Sequence, residues 1–237
     1  MPPSNPDELS IKIGCDNIVN ENTVKLLGVT IDQKLNFSEH VRNLCKKASM
    51  KLHALARVSK YMSMNKRRII MKAFIESQFG YCPLVWMFHN RTLNNRINKI
   101  HERALRLVYQ NDISTFSELL TIDNSFSIHH RNLQKLAIEM YKVKQNISPQ
   151  LMNGIFVNKD NIYNLRSEPK WEIRTVKSVY HGTESLSFRG PKTWDMLPSD
   201  IQNSKSLQEF VFKVKKWKPE GCTCRLCKIY ITNLGFI

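Results

Sequence analysis

The most constraining feature of this sequence is the regular spacing of its apolar residues between positions 38 and 109. After Ser38, which can cap a helix, apolar side chains recur at steps of three and four residues, the period of one helix face. The residues of this first stripe are Val41, Leu44, Cys45, Ala48, Leu52 and Leu55. Similar stripes predict helices over about 65–79 and about 93–109. In the helix over 65–79 the expected inward residues are Ile69, Ile70, Ala73 and Phe74.

The residues before position 37 follow the period of a strand instead. Ile11, Ile13 and Cys15 alternate with polar neighbours, and a second β-rich run extends from Val24 to Asp32. Two strands do not make a stable sheet by themselves. We therefore expect them to pack against the helices that follow, or to pair with strands upstream.

The spacing of the apolar residues becomes less regular after residue 111. Capping boxes at 115–118 and 206–209 open helices, whereas 172–180 and 185–188 have β character. The predicted fold class is mainly α, with a small N-terminal β-hairpin, a helical bundle and a looser α+β C-terminal region. The expected segments are a β segment at 1–36, a basic helical domain at 37–110, a helical and irregular domain at 111–217, and a Cys-containing basic tail at 218–237.

Positive charge is concentrated in the predicted helical bundle. The chain carries 36 Lys and Arg against 20 Asp and Glu, a formal net charge of +16, and residues 34–110 hold 16 basic and 3 acidic side chains. Such an excess repels itself in a compact chain, and a polyanionic partner relieves the repulsion. Nucleic acid is therefore the expected partner. A membrane surface would require a basic amphipathic helix with Trp or Phe opposite, and no long segment fits that description.

The basic residues form three clusters on the predicted helices. On the third helix they repeat the spacing of the apolar stripe displaced by one residue, about 100° of rotation, so a basic stripe runs beside the buried one. The predicted nucleic-acid-binding residues are Arg42, Lys46, Lys47, Lys66, Arg67, Arg68, Lys72, Arg96, Lys99, Arg103 and Arg106. Charges on long stems suit phosphates rather than base edges. Ordinary helix solvation is the alternative, but it normally interleaves Glu, and on the third helix Glu102 is nearly alone.

Isolated cysteines and the N-terminus indicate the compartment. Cys15, Cys45 and Cys82 have apolar neighbours, as buried reduced thiols do, which favours a reducing environment. The first residues lack the charged and apolar regions of a signal peptide, and no apolar run reaches the ~18 residues of a membrane span. We therefore expect an intracellular protein of the nucleus or cytoplasm that is neither secreted nor in contact with a membrane.

The remaining cysteines, Cys222, Cys224 and Cys227, are spaced like part of a zinc knuckle. Structural zinc takes four ligands, and no further His or Cys follows in the chain. Zinc held by the three thiolates and a ligand from elsewhere is one hypothesis. A redox-sensitive cluster and an unligated tail are the alternatives. The pair His129-His130 opens a helix, where such residues are expected to cap or pack.

Several segments of the sequence resemble reverse transcriptases of non-LTR retrotransposons of the jockey-like kind. Val24 to Asp32 is similar to the strand that forms the primer-grip hairpin at the palm edge. The segments that resemble the thumb and its next helix are 37–41, 52–57, 74–83 and 101–106. The segments that resemble the C-terminal end of such polyproteins are 188–194, 197–198 and 224–227. The resemblance covers essentially the whole chain.

The resemblance implies roles for several residues. Leu27, Gly28 and Val29 would form a primer-grip-like element, and the helical domain would be a thumb that holds a template–primer duplex of RNA or DNA. Polymerases of this family bind two metal ions with paired carboxylates. This sequence contains no Asp-Asp pair, and Mg²⁺ would belong to a palm that is missing here. No Gly-rich phosphate loop or H-E-x-x-H motif occurs either.

The expected function is that of a truncated C-terminal segment of an RNA-directed DNA polymerase. It would bind template–primer without catalysing polymerisation alone, and the full-length polymerase of the element would be a further partner. The alternative is a basic helical protein-interaction module with no nucleic-acid role. Only nucleic-acid binding predicts that the logarithm of the affinity falls linearly with the logarithm of the salt concentration, because only it releases condensed counterions.

Overall fold

The structure, a computed structural model, describes residues 11–18, 21–157, 171–173, 175–177 and 182–219, together with Cys222, Cys224 and Leu226. It is mainly helical with small antiparallel β structure at the N-terminus, so the predicted fold class is confirmed. The α-helices of this part of the chain are α1 (Ser38–Val58), α2 (Met64–Ile70), α3 (Pro83–Trp86), α4 (Arg91–Tyr109), α5 (Phe116–Ile122), α6 (Ile128–Lys144), α7 (Gln150–Ile155), α8 (Leu186–Asp195), α9 (Ser199–Gln202) and α10 (Leu207–Lys216).

The N-terminal strands form two hairpins where the sequence predicts one. The antiparallel pairs are β1 (Ile11–Ile13) with β2 (Asp16–Ile18), and β3 (Thr23–Leu26) with β4 (Val29–Asp32). The second β-rich run folds back on itself at Gly28, whose φ of 86° few other residues adopt. The second hairpin then packs on α1, where the backbone N–H of Thr30 donates to Nδ1 of His40.

The first hydrophobic core lies between α1, α4 and the helical segment that joins α2 to α3. Five residues of the predicted α1 stripe are buried, and the sixth, Leu44, packs partly buried against them. Their spacing of three and four residues brings them onto one face of α1. The apolar period of this helix therefore predicts its packing correctly.

The segment predicted as a helix over 65–79 is helical throughout, but its inward face differs from the prediction. α2 passes into a π-helical turn at Met71–Ile75 and then a 3₁₀ turn at Glu76–Phe79. The buried residues are Arg67, Met71, Ile75, Glu76 and Phe79. Ile69 and Phe74, expected inward, are 67% and 55% exposed. The π-helical turn is wider than an α-helical one, so residues four apart stay on one face of this segment. The first inward position is occupied by the charged residue Arg67, so a search for regularly spaced apolar residues does not detect this face.

A second core joins α6, α8 and α10. Tyr141 stacks on Phe210 with ring centroids 4.2 Å apart, and Trp194 stacks on the same ring at 5.9 Å. Residues 185–188, predicted to have β character, begin α8 instead. Their four-residue alternation is too short to separate strand from helix, and burial of the rest of α8 against α6 decides the matter.

A hydrogen-bonded triad of Glu76, His101 and Arg131 connects the first core to α6. The carboxylate of Glu76 accepts hydrogen bonds from Nε2 of His101 on α4 at 3.0 Å and from both terminal nitrogens of Arg131 on α6. Burial alone would raise the pKa of Glu76, but the hydrogen bonds from His101 and Arg131 lower it to about 2. The pairing therefore holds the carboxylate ionised inside the protein.

We expect Glu76→Gln to destabilise the fold and to flatten the dependence of its stability on acid. The folded pKa of Glu76 lies below the unfolded value, so its contribution is complete above about pH 4.5 and is lost as the pH falls towards 2. The shift corresponds to about 3 kcal/mol of unfolding free energy. Urea unfolding between pH 2 and 7 measures it.

The matched control is Glu102→Gln, which breaks the partly exposed pair between Glu102 and Arg106 on α4. Such a surface pair contributes about 0.5 kcal/mol. Equal losses from the two substitutions, or a wild-type stability that does not change below pH 5, would contradict the role given to Glu76.

Candidate nucleic-acid interface and metal cluster

Seven of the predicted nucleic-acid-binding residues are exposed. They are Arg42, Lys46, Lys47, Lys66, Arg96, Lys99 and Arg103. None of the seven forms an ion pair with another residue that the structure describes. An exposed cation without an acidic neighbour keeps its full charge for a partner in solution.

Six of these cations lie on α1 and α4, two helices that pack against each other. Arg42, Lys46 and Lys47 lie on α1, and Arg96, Lys99 and Arg103 lie on α4. The guanidinium of Arg96 approaches the thiol of Cys45 on α1, where burial raises the pKa of Cys45 to about 11 and Arg96 opposes the rise. Arg96 of α4 thus lies close to α1, and we call the six residues on these two helices the basic surface.

Arg67 was predicted to bind nucleic acid, but its side chain is buried and is not accessible to a partner in solution. It is 7% exposed, and its guanidinium donates to the carbonyl oxygens of Val108 at 3.0 Å, Met62 at 3.1 Å and Ser59 at 3.3 Å. The carbonyl of Val108 lies in the last turn of α4, where carbonyl groups lack helical partners. Arg67 therefore holds the end of α4 against the segment that follows α1.

The side chains of Arg68 and Lys72 pair with the buried carboxylate of Asp123, a residue that sequence reasoning did not identify. Nε of Arg68 lies 2.6 Å from Asp123, and Nζ of Lys72 lies 3.6 Å from it. The hydroxyl of Tyr109 also donates to Asp123 at 2.7 Å. Burial would raise the pKa of Asp123, but its hydrogen bonds from Arg68 and Tyr109 lower it. These two cations stabilise the fold, and their net charge towards solvent is reduced.

Arg106 lies at the end of the basic stripe, and its side chain also binds other groups of the protein. Its guanidinium pairs with Glu102 at 2.8 Å and donates to the backbone carbonyls of Asn111 and Asp112. It closes the C-terminus of α4, where a cation is favoured by the helix dipole. The stripe thus keeps three exposed members, and its last member supports the helix end.

The structure divides the primer-grip-like residues between a turn and the core. Leu27 and Gly28 form the turn of the second hairpin, where Leu27 is 83% exposed, whereas Val29 is buried. The hydroxyl of Tyr81 donates to the carbonyl of Leu27 at 2.7 Å. This bond fixes the hairpin tip to the loop before α3.

A cluster of three potential metal ligands forms where Cys222 and Cys224 meet the start of α6. The ligand atoms of His129, Cys222 and Cys224 all lie within 4.8 Å of one another, and Nε2 of His129 is 3.1 Å from Sγ of Cys224. All three residues are buried, and Met87, Leu133 and Leu226 pack around the cysteines. Cys227, the third predicted ligand, lies outside the described residues. The three residues that the structure brings together could hold a metal ion.

His129 is a candidate metal ligand that sequence reasoning missed, since it was expected only to cap or pack. The cap of α6 is the hydroxyl of Ser127, which accepts from the backbone N–H of His130. His129 is 95 residues from Cys224, so no local spacing connects the two.

The prediction that the isolated cysteines are buried is confirmed for only one of the three. Cys45 is buried as expected, but Cys15 and Cys82 are exposed.

The chain was compared with protein-family models, curated proteins and solved structures. No protein-family model matches it, and no curated protein or solved structure is significantly similar to it. Among the described residues, no helix is both long enough and apolar enough to cross a membrane.

We expect Arg67→Met to destabilise the protein, whereas Lys66→Met, one residue earlier and exposed, leaves its stability nearly unchanged. The first substitution leaves carbonyl groups buried without donors, each costing about 1–3 kcal/mol. Chemical denaturation of the two variants measures the difference. A loss of unfolding free energy at Lys66 as large as that at Arg67 would contradict the structural role assigned to Arg67.

Proposed function

We propose that this chain binds the phosphate backbone of a nucleic-acid duplex through the basic surface of α1 and α4. The observation that carries the proposal is that six exposed cations lie on two helices that pack together, without an acidic partner among the described residues. Their apolar neighbours pack in the first core, so the charges project from a rigid support. Cations on a rigid support suit the regular spacing of phosphates.

The expected recognition is independent of base sequence. Lys and Arg side chains on two neighbouring helices reach phosphates by charge, and phosphates carry no base identity. The binding free energy then comes largely from the release of condensed counterions. Affinity should therefore vary with salt concentration and little with sequence.

We further propose that the duplex is the template–primer of a non-LTR retrotransposon polymerase, and that the chain acts as part of such an RNA-directed DNA polymerase inside the cell. The proposal is supported by the resemblance of 24–32, 74–83 and 101–106 to that family and by the helical, basic character of 37–110. Polymerisation by this chain alone is not proposed, because its sequence has no Asp-Asp pair to hold catalytic Mg²⁺.

A protein-interaction module remains the second candidate, and one observation favours it. Val24, Leu26 and Leu27 of the second hairpin and Leu35 after it are 54%, 58%, 83% and 61% exposed. Exposed apolar residues grouped on one element are typical of a surface that a partner covers. In the polymerase proposal that partner is the rest of the polymerase.

The double substitution Arg96→Glu and Arg103→Glu tests the nucleic-acid proposal. We expect weaker binding to RNA–DNA heteroduplexes of every sequence, because two phosphate contacts become repulsive. Each lost contact should also flatten the slope of log affinity against log salt by about 0.9 on duplex DNA. Fluorescence anisotropy at several salt concentrations measures both effects, and circular dichroism checks the fold.

The matched control is Lys205→Glu with Lys215→Glu, the same change of charge at exposed residues outside the basic surface. We expect this control to change affinity and salt slope much less. Equal effects of the two double substitutions would mean that only net charge matters. Unchanged affinity in the first variant would favour the protein-interaction module.

We propose zinc as the metal of the His129, Cys222 and Cys224 cluster. Thiolate and imidazole ligands favour zinc over Mg²⁺ or Ca²⁺, which prefer oxygen. Tetrahedral zinc holds its sulfur and nitrogen ligands roughly 3.5–3.8 Å apart, which the clustering within 4.8 Å accommodates. Cys227, three residues after Cys224, is the proposed fourth ligand on the basis of the sequence spacing. Such a site would fix the tail to α6.

We expect purified protein to carry one zinc ion per chain, which His129→Ala and Cys224→Ser both release. The matched controls are His130→Ala, at the neighbouring position of α6, and Cys82→Ser, at an exposed and isolated cysteine. Elemental analysis of protein purified under reducing conditions measures the metal. Zinc-free wild-type protein, or zinc retained by the His129 variant, would contradict the proposed site.

A further inference from the structure

Phe74 is an exposed aromatic residue in the helical segment that joins α2 to α3. It belongs to the π-helical turn Met71–Ile75, and 55% of its side chain is exposed. The two end residues of the same turn, Met71 and Ile75, are almost completely buried in the first core. The ring of Phe74 therefore projects from a well-packed segment.

The π-helical turn is the reason that Phe74 is exposed. The backbone N–H of Glu76 donates to the carbonyl oxygen of Met71, five residues earlier, as well as to that of Lys72. In a continuous α-helix, the residue three positions after the buried Met71 would lie on the same face. The wider turn places Ile75 there instead and leaves Phe74 towards solvent. The segment thus gives up the burial of a large apolar ring, and π-helical turns of this kind are frequent at functional sites.

The exposed ring lies beside lysines of α1. Nζ of Lys51 lies over the ring, 5.8 Å from its centroid, which is within the range of a cation–π contact. Lys47, one turn earlier on α1, is on the same side of that helix as Lys51 and belongs to the basic surface. Neither lysine forms an ion pair with another residue that the structure describes. The basic surface thus continues through Lys51 to an exposed aromatic ring.

We propose that Phe74, with Lys51 and Lys47, forms a stacking site for an unpaired base of a strand that continues beyond the bound duplex. The exposed part of the ring accepts the face of any base, and the two lysines bind phosphates of the same strand. Aromatic and basic side chains in combination are typical of surfaces that bind single strands without sequence preference. The bases inside a duplex are not accessible to such a ring. The inference rests on the proposed nucleic-acid binding, and it adds the class of substrate, a duplex with a single-stranded extension.

Fluorescence anisotropy with matched substrates tests the stacking site. The substrates are a blunt RNA–DNA heteroduplex, the same heteroduplex with a single-stranded DNA extension at its 5′ or 3′ end, and the extended forms with abasic nucleotides in the extension. The abasic extension keeps the phosphates, so the preference for bases reports stacking. We expect the wild type to bind one extended duplex about 5–150-fold more tightly with bases than without, the range for one stacked base.

Three variants assign this preference to Phe74. Phe74→Ala should remove the preference for bases and leave the affinity for the blunt duplex unchanged. Phe74→Tyr keeps an aromatic ring and should keep the preference. The matched control is Phe212→Ala on α10, which removes a ring that is similarly exposed, at 60%, and has Nζ of Lys216 4.0 Å from its centroid. Because Phe212 lies outside the basic surface, this control should behave as the wild type. Circular dichroism checks the fold of each variant.

The wild-type comparison needs no variant, so the inference can fail by itself. Equal binding of base-carrying and abasic extensions by the wild type would overturn the stacking site and would leave the exposed ring to a protein partner. A preference that persists in Phe74→Ala, or that is lost in Phe74→Tyr or Phe212→Ala, would also overturn it. So would equal weakening of blunt and extended duplexes by Phe74→Ala. A wild type that binds neither blunt nor extended duplexes would overturn the nucleic-acid proposal itself.

Discussion

The carboxylate of Glu76 is shared between His101 of α4 and Arg131 of α6, and both candidate sites depend on that sharing. A carboxylate removed from water is unfavourable unless it is paired and hydrogen-bonded, so the three segments are held in one arrangement. α4 carries half of the basic surface. Arg131 follows His129 by two residues on α6, so the same triad that completes the helical bundle also fixes the start of α6, where the metal cluster forms.

The basic residues of the chain divide into two groups with different physical roles. Arg67 and Arg68 use their guanidinium groups inside the protein, on backbone carbonyls and on the carboxylate of Asp123. Their charges are satisfied by the fold. Lys46, Arg96 and Arg103, by contrast, extend into solvent from helices whose other faces are buried. The excess of positive charge is thus not spread evenly, and a part of it that forms no ion pair with a described residue lies on α1 and α4, where a polyanion would reduce the self-repulsion.

Local features of this fold could be predicted from the sequence, and non-local ones could not. The α1 stripe and the capping box of Thr115 with Glu118 follow from spacing within one or two turns, and both are present. The burial of Arg67 depends on carbonyl groups up to 41 residues away. The meeting of His129 with Cys224 spans 95 residues. Neither contact leaves a periodic pattern in the sequence, because each is decided by how the helices pack.

The salt dependence of wild-type binding tests the central claim most directly, that the basic surface recognises the phosphate backbone. Affinity would be measured by fluorescence anisotropy for two RNA–DNA heteroduplexes of equal length and unrelated sequence, across a series of salt concentrations. Phosphate recognition gives two nearly superimposed lines of log affinity against log salt, with a steep negative slope of about −0.9 per phosphate contact on duplex DNA. An affinity that is independent of salt, or that differs strongly between the two sequences, would contradict the account.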